Sequence, residues 1–113
     1  MTVFYKSEGI TFEQHPRFAG VKIAKLVTKD QGQAVGVSML EIGAGVEIPI
    51  HTHDRELDSI FVLSGQGQAF IDGAWKDIGE GDYILVPATV EHGVKNKSER
   101  VLKLFIVHSP AIF

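Results

Sequence analysis

Short runs of Val, Ile and Phe, separated by glycines and other turn residues, are the feature that most constrains the fold of this chain. No stretch of a dozen residues repeats apolar side chains at helical spacing, whereas runs of about four to eight such residues between turn formers are typical of strands. The sequence therefore predicts an all-β domain with strands at residues 3–5, 21–28, 35–41, 46–53, 59–63, 67–71, 75–78, 83–86, 92–95 and 101–108.

One connection is specified by its residue types. The pair Asp72-Gly73 separates two predicted strands and favours the left-handed backbone of a type I′ hairpin turn. The chain has 113 residues, of which 44% are hydrophobic, and a chain of this size and composition is typical of one folded domain. We expect residues 1–113 to form that single domain.

The composition excludes several classes of function. There is no cysteine, so any metal must be held by nitrogen and oxygen atoms, and disulfides and thiol nucleophiles are excluded. The net charge is −3 and the basic residues are scattered, which argues against nucleic acid or a membrane surface as a partner. No apolar run reaches the ~18 residues of a membrane span, and the first ten residues lack the apolar core of a signal peptide. We therefore expect a cytoplasmic protein.

Two stretches contain candidate metal ligands. In the first, residues 45–65, His51 and His53 are two positions apart and share one face of an extended strand. Asp58 can join them if the chain turns between them and returns as a neighbouring strand. Taken alone, the two histidines are better interpreted as surface residues of an edge strand. The second stretch, residues 81–96, supplies His92 and favours a shared site.

The spacing within these stretches resembles the two signature motifs of the cupin family. The first family motif has G, five residues, HxH, three or four residues, E, six residues and G, and its positions here are Gly45, His51, His53, Asp58 and Gly65. The second has G, five residues, PxG, two residues, H, three residues and N, and its positions here are Gly81, Pro87, Thr89, His92 and Asn96. Every spacing is kept, with Asp58 in place of Glu and Thr89 in place of Gly.

This resemblance implies a single cupin barrel, a short conical jelly roll of two antiparallel sheets that holds one divalent metal. Carried over by position, the metal ligands would be His51, His53, Asp58 and His92. Imidazole and carboxylate ligands suit Fe, Mn, Ni, Co, Cu or Zn and do not choose among these metals.

Two departures from the family pattern affect this site. Asp58 is one methylene shorter than Glu, so either the backbone moves inward or three histidines hold the metal and Asp58 binds through a water. Glu56 is an alternative carboxylate, although its place in the turn favours a solvated charge. Thr89 replaces a glycine that eases a turn, and we expect a modest local adjustment there.

Strand parity predicts which other side chains face the interior. Residues on the same face as the candidate ligands, together with one tyrosine at the start of a strand, are the candidates for a ligand pocket: Ile60, Val62, Tyr83 and Leu104. Packing is the favoured interpretation of Tyr83, although its phenol could contact a substrate. Parity also sends His108 inward, where we interpret it as a core or interface histidine, and His15 is expected on the surface.

The implied function is a metal-dependent small cupin that acts on a small oxygenated molecule as a dioxygenase, isomerase or lyase. The alternatives are a non-catalytic barrel that binds a metal or small ligand, and a metal-free structural barrel. A homodimer is expected because a short barrel exposes edge strands. Residues 1–30, with the predicted strand at 3–5, are the candidate dimer interface.

Overall fold

The computed structural model describes residues 2–113 and consists of two antiparallel sheets. The strands are β1 (Glu13–Gln14), β2 (Val21–Val27), β3 (Gly36–Ile42), β4 (Glu47–His51), β5 (Leu57–Ser64), β6 (Gln66–Ile71), β7 (Ala74–Gly79), β8 (Tyr83–Val86), β9 (His92–Lys95) and β10 (Leu102–Ser109). Two short 3-10 helices cover Ser7–Gly9 and Lys29–Gln31. The prediction of an all-β fold is confirmed.

The two sheets enclose one hydrophobic core. The larger has the strand order β1-β2-β3-β10-β5-β8 and the smaller the order β4-β9-β6-β7. Side chains alternate between core and surface along β3 and β10, as expected for strands with one buried face. The largest fully buried apolar side chains are Val21, Ile23, Ile42, Val62, Leu102 and Leu104. Among residues 2–113, no helix has the length and hydropathy that crossing a membrane requires.

Asn96 joins the end of β9 to two neighbouring loops. Its side chain is buried, and its amide nitrogen lies 3.0, 3.1 and 2.7 Å from the carbonyl oxygens of Ile42, Gly43 and Arg100. Its amide oxygen accepts hydrogen bonds from the backbone N–H and the hydroxyl of Ser98. The motif asparagine therefore satisfies several backbone groups that would otherwise be buried without partners.

The predicted hairpin turn has the expected geometry, because Asp72 and Gly73 have φ values of 50° and 83°. Thr89 also has a positive φ, of 70°, and its backbone N–H donates to the carbonyl of His53 over 2.8 Å. This left-handed conformation is unfavourable for a β-branched residue, so the adjustment at Thr89 lies in its own backbone.

The prediction of a strand at residues 3–5 is wrong. These residues form no ladder, and the side chains of Val3, Phe4 and Tyr5 are exposed. The edge of β2 pairs instead with β1, which the sequence did not predict, through Glu13 and Gln14. The Tyr5 hydroxyl donates to the carbonyl of Leu26, so this segment lies along the sheet without joining it.

Candidate metal centre

Three histidines converge at one end of the space between the sheets. His51, the last residue of β4, lies opposite His92, the first residue of β9, and their ring centres are 4.3 Å apart. His53 follows β4, with its ring centre 4.9 Å from that of His51 and 5.1 Å from that of His92. One nitrogen from each of the three rings lies within 4.8 Å of the others. That spacing suits ligands of a single metal ion.

A bulge in β4 directs His51 toward the other two histidines. Ile48 pairs with Val94 and His51 with His92, so β4 has one residue more than β9 between these pairs. An extra residue of this kind re-aims the side chains that follow it. Gly93 makes the approach possible, because a Cβ at this position would lie 3.0 Å from the Ile48 carbonyl oxygen.

Backbone carbonyls orient two of the rings. Nδ1 of His51 lies 2.7 Å from the Pro49 carbonyl oxygen, and Nδ1 of His92 lies 3.0 Å from that of Val90. In a neutral ring that donates from Nδ1, the lone pair is on Nε2 and is free to bind a metal. The fold therefore sets the tautomer that a metal ligand needs.

Asp58 lies in β5 beside the three rings and faces a fourth histidine. It is 5% exposed and is paired across the sheet with His108 of β10. Its Oδ2 lies 3.2, 3.3 and 3.7 Å from the Nε2 atoms of His92, His108 and His53. Its Oδ1 and the Nε2 of His92 are buried without a hydrogen-bond partner among the described residues. Buried polar atoms without partners are rare, and a bound metal ion or water molecule is the kind of partner that would satisfy them.

The charges in the cluster shift the pKa values of its members. Burial alone would raise the pKa of Asp58, but the nearby imidazoles of His108, His53 and His92 outweigh it and hold this pKa well below its usual range. Burial alone would lower the pKa of His92, but the Asp58 carboxylate and the Val90 carbonyl raise it. Burial lowers the pKa of His51. Asp58 is therefore ionised at neutral pH, as a metal ligand must be.

Comparison of the sequence with known protein families gives one match, in which the family described as Cupin domain covers residues 38–108. The chain belongs to the cupin family. The match spans both candidate-ligand stretches, and the recognition of this family from the motif spacing is confirmed.

Several solved structures share this fold at low sequence identity. A predicted oxalate decarboxylase from Thermotoga maritima is 23% identical with a TM-score of 0.83, covering 97% of this chain and 99% of its own. The polyketide cyclase RemF from Streptomyces resistomycificus is 18% identical with a TM-score of 0.83, covering 100% and 87%. KdgF from Halomonas sp. is 16% identical with a TM-score of 0.80, covering 95% and 94%. No curated protein sequence matches this one.

The donor set of this cupin fits a divalent transition metal. It offers imidazole nitrogens and one ionised carboxylate, and both Asp58 and His92 have a buried atom without a hydrogen bond in the described part of the chain. The structure brings together all four residues that the motifs single out. Glu56 precedes β5 in the loop and belongs to neither of the two ligand clusters found among the described residues.

The cluster opens into a cavity of about 90 Å³, several times the roughly 10–15 Å³ that holds one water molecule. Ile60 and Leu104 line it, together with the core-facing residues Ile23, Leu40, Ile48 and Ile106. The expectation that Val62 and Tyr83 line the pocket is wrong. Val62 is packed fully inside the core away from the cavity, and Tyr83 is 57% exposed on the outer face, where its hydroxyl pairs with Ser59.

Two histidines that sequence reasoning did not assign to the site also line the cavity. His108 faces inward, as parity predicts, but it contacts Asp58 and forms a second possible ligand cluster with Asp58 and His53. The expectation that His15 lies on the surface is wrong, because it is 8% exposed and packs against Phe18 and Phe113. Knowledge of the register between β5 and β10 would have predicted the contact of His108 with Asp58. No local sequence pattern predicts that His15 is buried beside the cavity.

Proposed function

We propose that this cupin binds one divalent transition metal through His51, His53, His92 and Asp58 and acts on a small oxygenated molecule. The observation that carries the proposal is a pair of buried atoms, Asp58 Oδ1 and His92 Nε2, that have no hydrogen-bond partner among residues 2–113 and lie within a cluster of oriented imidazoles. Fe, Mn, Ni, Co, Cu and Zn all remain compatible with nitrogen and oxygen ligands.

The chemistry of the site favours an oxygen-rich substrate. A divalent ion with three neutral imidazoles and one carboxylate carries a net charge of about +1, and such an ion would act as a Lewis acid toward enolate, carboxylate or diol oxygens. The chain itself supplies the apolar walls that exclude water and the carbonyls of Pro49 and Val90 that fix the histidine tautomers. Dioxygenase, isomerase and lyase reactions all use such a centre.

We rank catalysis above simple binding because a metal ion with imidazole and carboxylate ligands would be a competent Lewis acid. Two structural neighbours carry enzyme names, a decarboxylase and a cyclase, although identities of 23% and 18% support the fold alone. A barrel that binds a metal or small ligand without turnover is the second candidate.

Metal content and turnover test the two parts of this proposal separately. Protein purified without added metal is expected to contain close to one transition-metal ion per chain. The variants His51→Ala and Asp58→Asn are expected to lose most of it, whereas the control Asp77→Asn, an exposed carboxylate hydrogen-bonded to Gln68, should retain it. Metal at wild-type levels in His51→Ala would refute the site.

Oxygen uptake or product formation on sugars, 1,3-diketones, catechols and thiols then separates an enzyme from a binding protein. Turnover that depends on the metal would support the enzyme. Saturable binding without turnover would support the second candidate.

We also propose a homodimer formed through the outer face of the larger sheet. Phe61, Tyr83 and Leu85 are exposed there, and Phe61 is paired with Tyr83 on one side and with Phe105 on the other. The charged pair Lys103–Glu41 lies on β10 and β3, so the exposed apolar patch is confined to the β5–β8 end of this sheet. An exposed apolar patch of this kind fits a second copy of the same surface.

A further inference from the structure

The cavity has a second polar end, separate from the histidine cluster. It is formed by His15 and Arg17, which lie in the segment between β1 and β2 and both line the cavity. The ring of Phe18 lies 4.7 Å from that of His15 and 5.8 Å from that of His51, measured between ring centres. About one aromatic ring therefore separates this end from the candidate metal ligands. His15 belongs to neither ligand cluster.

His15 presents a fixed hydrogen-bond donor. The backbone N–H of Arg17 donates to its Nδ1 over 3.1 Å, so Nδ1 carries no proton. Burial, with further contributions from Arg17, Lys25 and His108, lowers the pKa of His15 and keeps the ring neutral. The remaining proton is then on Nε2, on a ring that the packing of Phe18 and Phe113 holds in place.

Arg17 adds a positive charge at the same end. Its guanidinium carbon lies 5.4 Å from the centre of the Phe18 ring. Within residues 2–113, no acidic side chain forms an ion pair with it, and Asp58, in the histidine cluster, is the only acidic side chain that lines the cavity. The planar fork of a guanidinium binds carboxylates in particular, by two parallel hydrogen bonds.

We propose that His15 and Arg17 form a carboxylate-binding subsite, so that the ligand of this cavity is a small organic anion. Its carboxylate would accept hydrogen bonds from the Arg17 guanidinium and His15 Nε2–H. A short apolar spacer would lie along the cavity wall, and an oxygen at the other end would face the histidine cluster. Only this last contact rests on the proposed metal function, since the carboxylate end needs no metal.

Levulinate, which has a ketone at one end and a carboxylate at the other, is a suitable probe, with its neutral amide levulinamide as the comparison. Dissociation constants of both are measured by NMR shift titration on metal-free and on metal-loaded protein. The wild-type protein is expected to bind levulinate at least about tenfold more tightly than levulinamide in both forms, because a hydrogen bond to a charged group is the stronger kind.

Two variants and a control test whether the preference for levulinate over levulinamide depends on His15 and Arg17. Arg17→Gln and His15→Phe, the second of which keeps an aromatic ring against Phe18 and Phe113, should each lose most of the preference for levulinate. Arg100→Gln, which removes the same positive charge at a position outside the cavity lining, should keep it. An equal affinity of the wild-type protein for both probes, no binding of levulinate, or an unchanged preference in Arg17→Gln would overturn the proposal. If the metal function fails, the preference in metal-free protein still stands.

Discussion

Asp58 is the residue on which the electrostatics of the site depend. It places a buried carboxylate within 3.7 Å of the Nε2 atoms of three histidines, and it lies at a position where the family pattern has a longer Glu. Its register opposite His108 gives it a neighbour that a motif comparison alone does not reveal. The carboxylate therefore has two roles, as a candidate ligand and as the partner that raises the pKa of His92.

The raised pKa of His92 predicts how metal binding depends on pH. Protons compete with the metal for Nε2, so affinity should begin to fall, as the pH is lowered, at a value above the ordinary imidazole pKa of 6.5. Competition with a chelator from about pH 8 to about pH 5 measures this. An affinity that is flat across this range would contradict a histidine-rich site.

In metal-free protein, Asp58→Asn should lower the pKa of His92, because burial then acts without the carboxylate. The control Asp77→Asn should leave the pKa of His92 unchanged.

Replacement of Thr89 by glycine should increase the stability of the fold. Its φ of 70° disfavours a β-branched residue, so Thr89→Gly should raise the free energy of unfolding by about 1 kcal/mol. Urea denaturation of metal-free protein measures the change. The matched control is Thr11→Gly, at an exposed position without a positive φ, which should be neutral or destabilising. A loss of stability in Thr89→Gly would show that the Thr side chain makes a compensating contact.

At the scale of elements, the pairing of β4 with β9 sets the spacing between His51 and His92. Gly93 allows this pairing, since a Cβ there would lie 3.0 to 3.2 Å from three backbone atoms of Ile48 and Ile50. Gly93→Ala should therefore destabilise the fold by about 1–3 kcal/mol and weaken metal binding as the strands separate. Gly9→Ala, where no atom lies within 4 Å, is the control. Unchanged metal affinity in Gly93→Ala would show that the spacing tolerates this movement.

The sequence predicted the elements that depend on local chemistry and missed those that depend on pairing. Spacing within the two motifs identified His51, His53, Asp58 and His92, and the Asp72-Gly73 turn followed from its residue types. The outward position of Tyr83 depends on its register opposite Phe61, which no single strand encodes. The strand predicted at residues 3–5 failed for a similar reason, because β1 occupies the available edge of β2.

The interior was also only partly predictable. In the sequence, His15 precedes a proline in a polar segment, which predicts a surface position. In the structure, His15 is buried because the distant residue Phe113 packs against it. Strand parity predicted correctly that the His108 side chain faces inward. Its contact with Asp58 depends on the pairing of β10 with β5. Long-range contacts of this kind leave no trace in a short sequence window.

At the scale of the whole molecule, the apolar outer face of the larger sheet predicts a dimer. Phe61→Glu should shift the protein toward the monomer, because a charge at the centre of an apolar interface is left without a partner. Sedimentation equilibrium measures the shift. Phe4→Glu, at an exposed residue of the N-terminal segment, should leave the dimer intact. If Phe4→Glu dissociates it and Phe61→Glu does not, the interface lies in residues 1–30 instead.

We propose that four side chains from the two motif stretches, residues 45–65 and 81–96, hold one metal ion. The most direct test is anomalous X-ray scattering from a crystal of the protein purified without added metal, collected on both sides of the absorption edges of Fe, Mn, Ni, Co, Cu and Zn. We predict one peak between the Nε2 atoms of His51, His53 and His92, at bonding distance from an oxygen of Asp58. A map without a peak there, in crystals whose protein was never exposed to chelator, would contradict it.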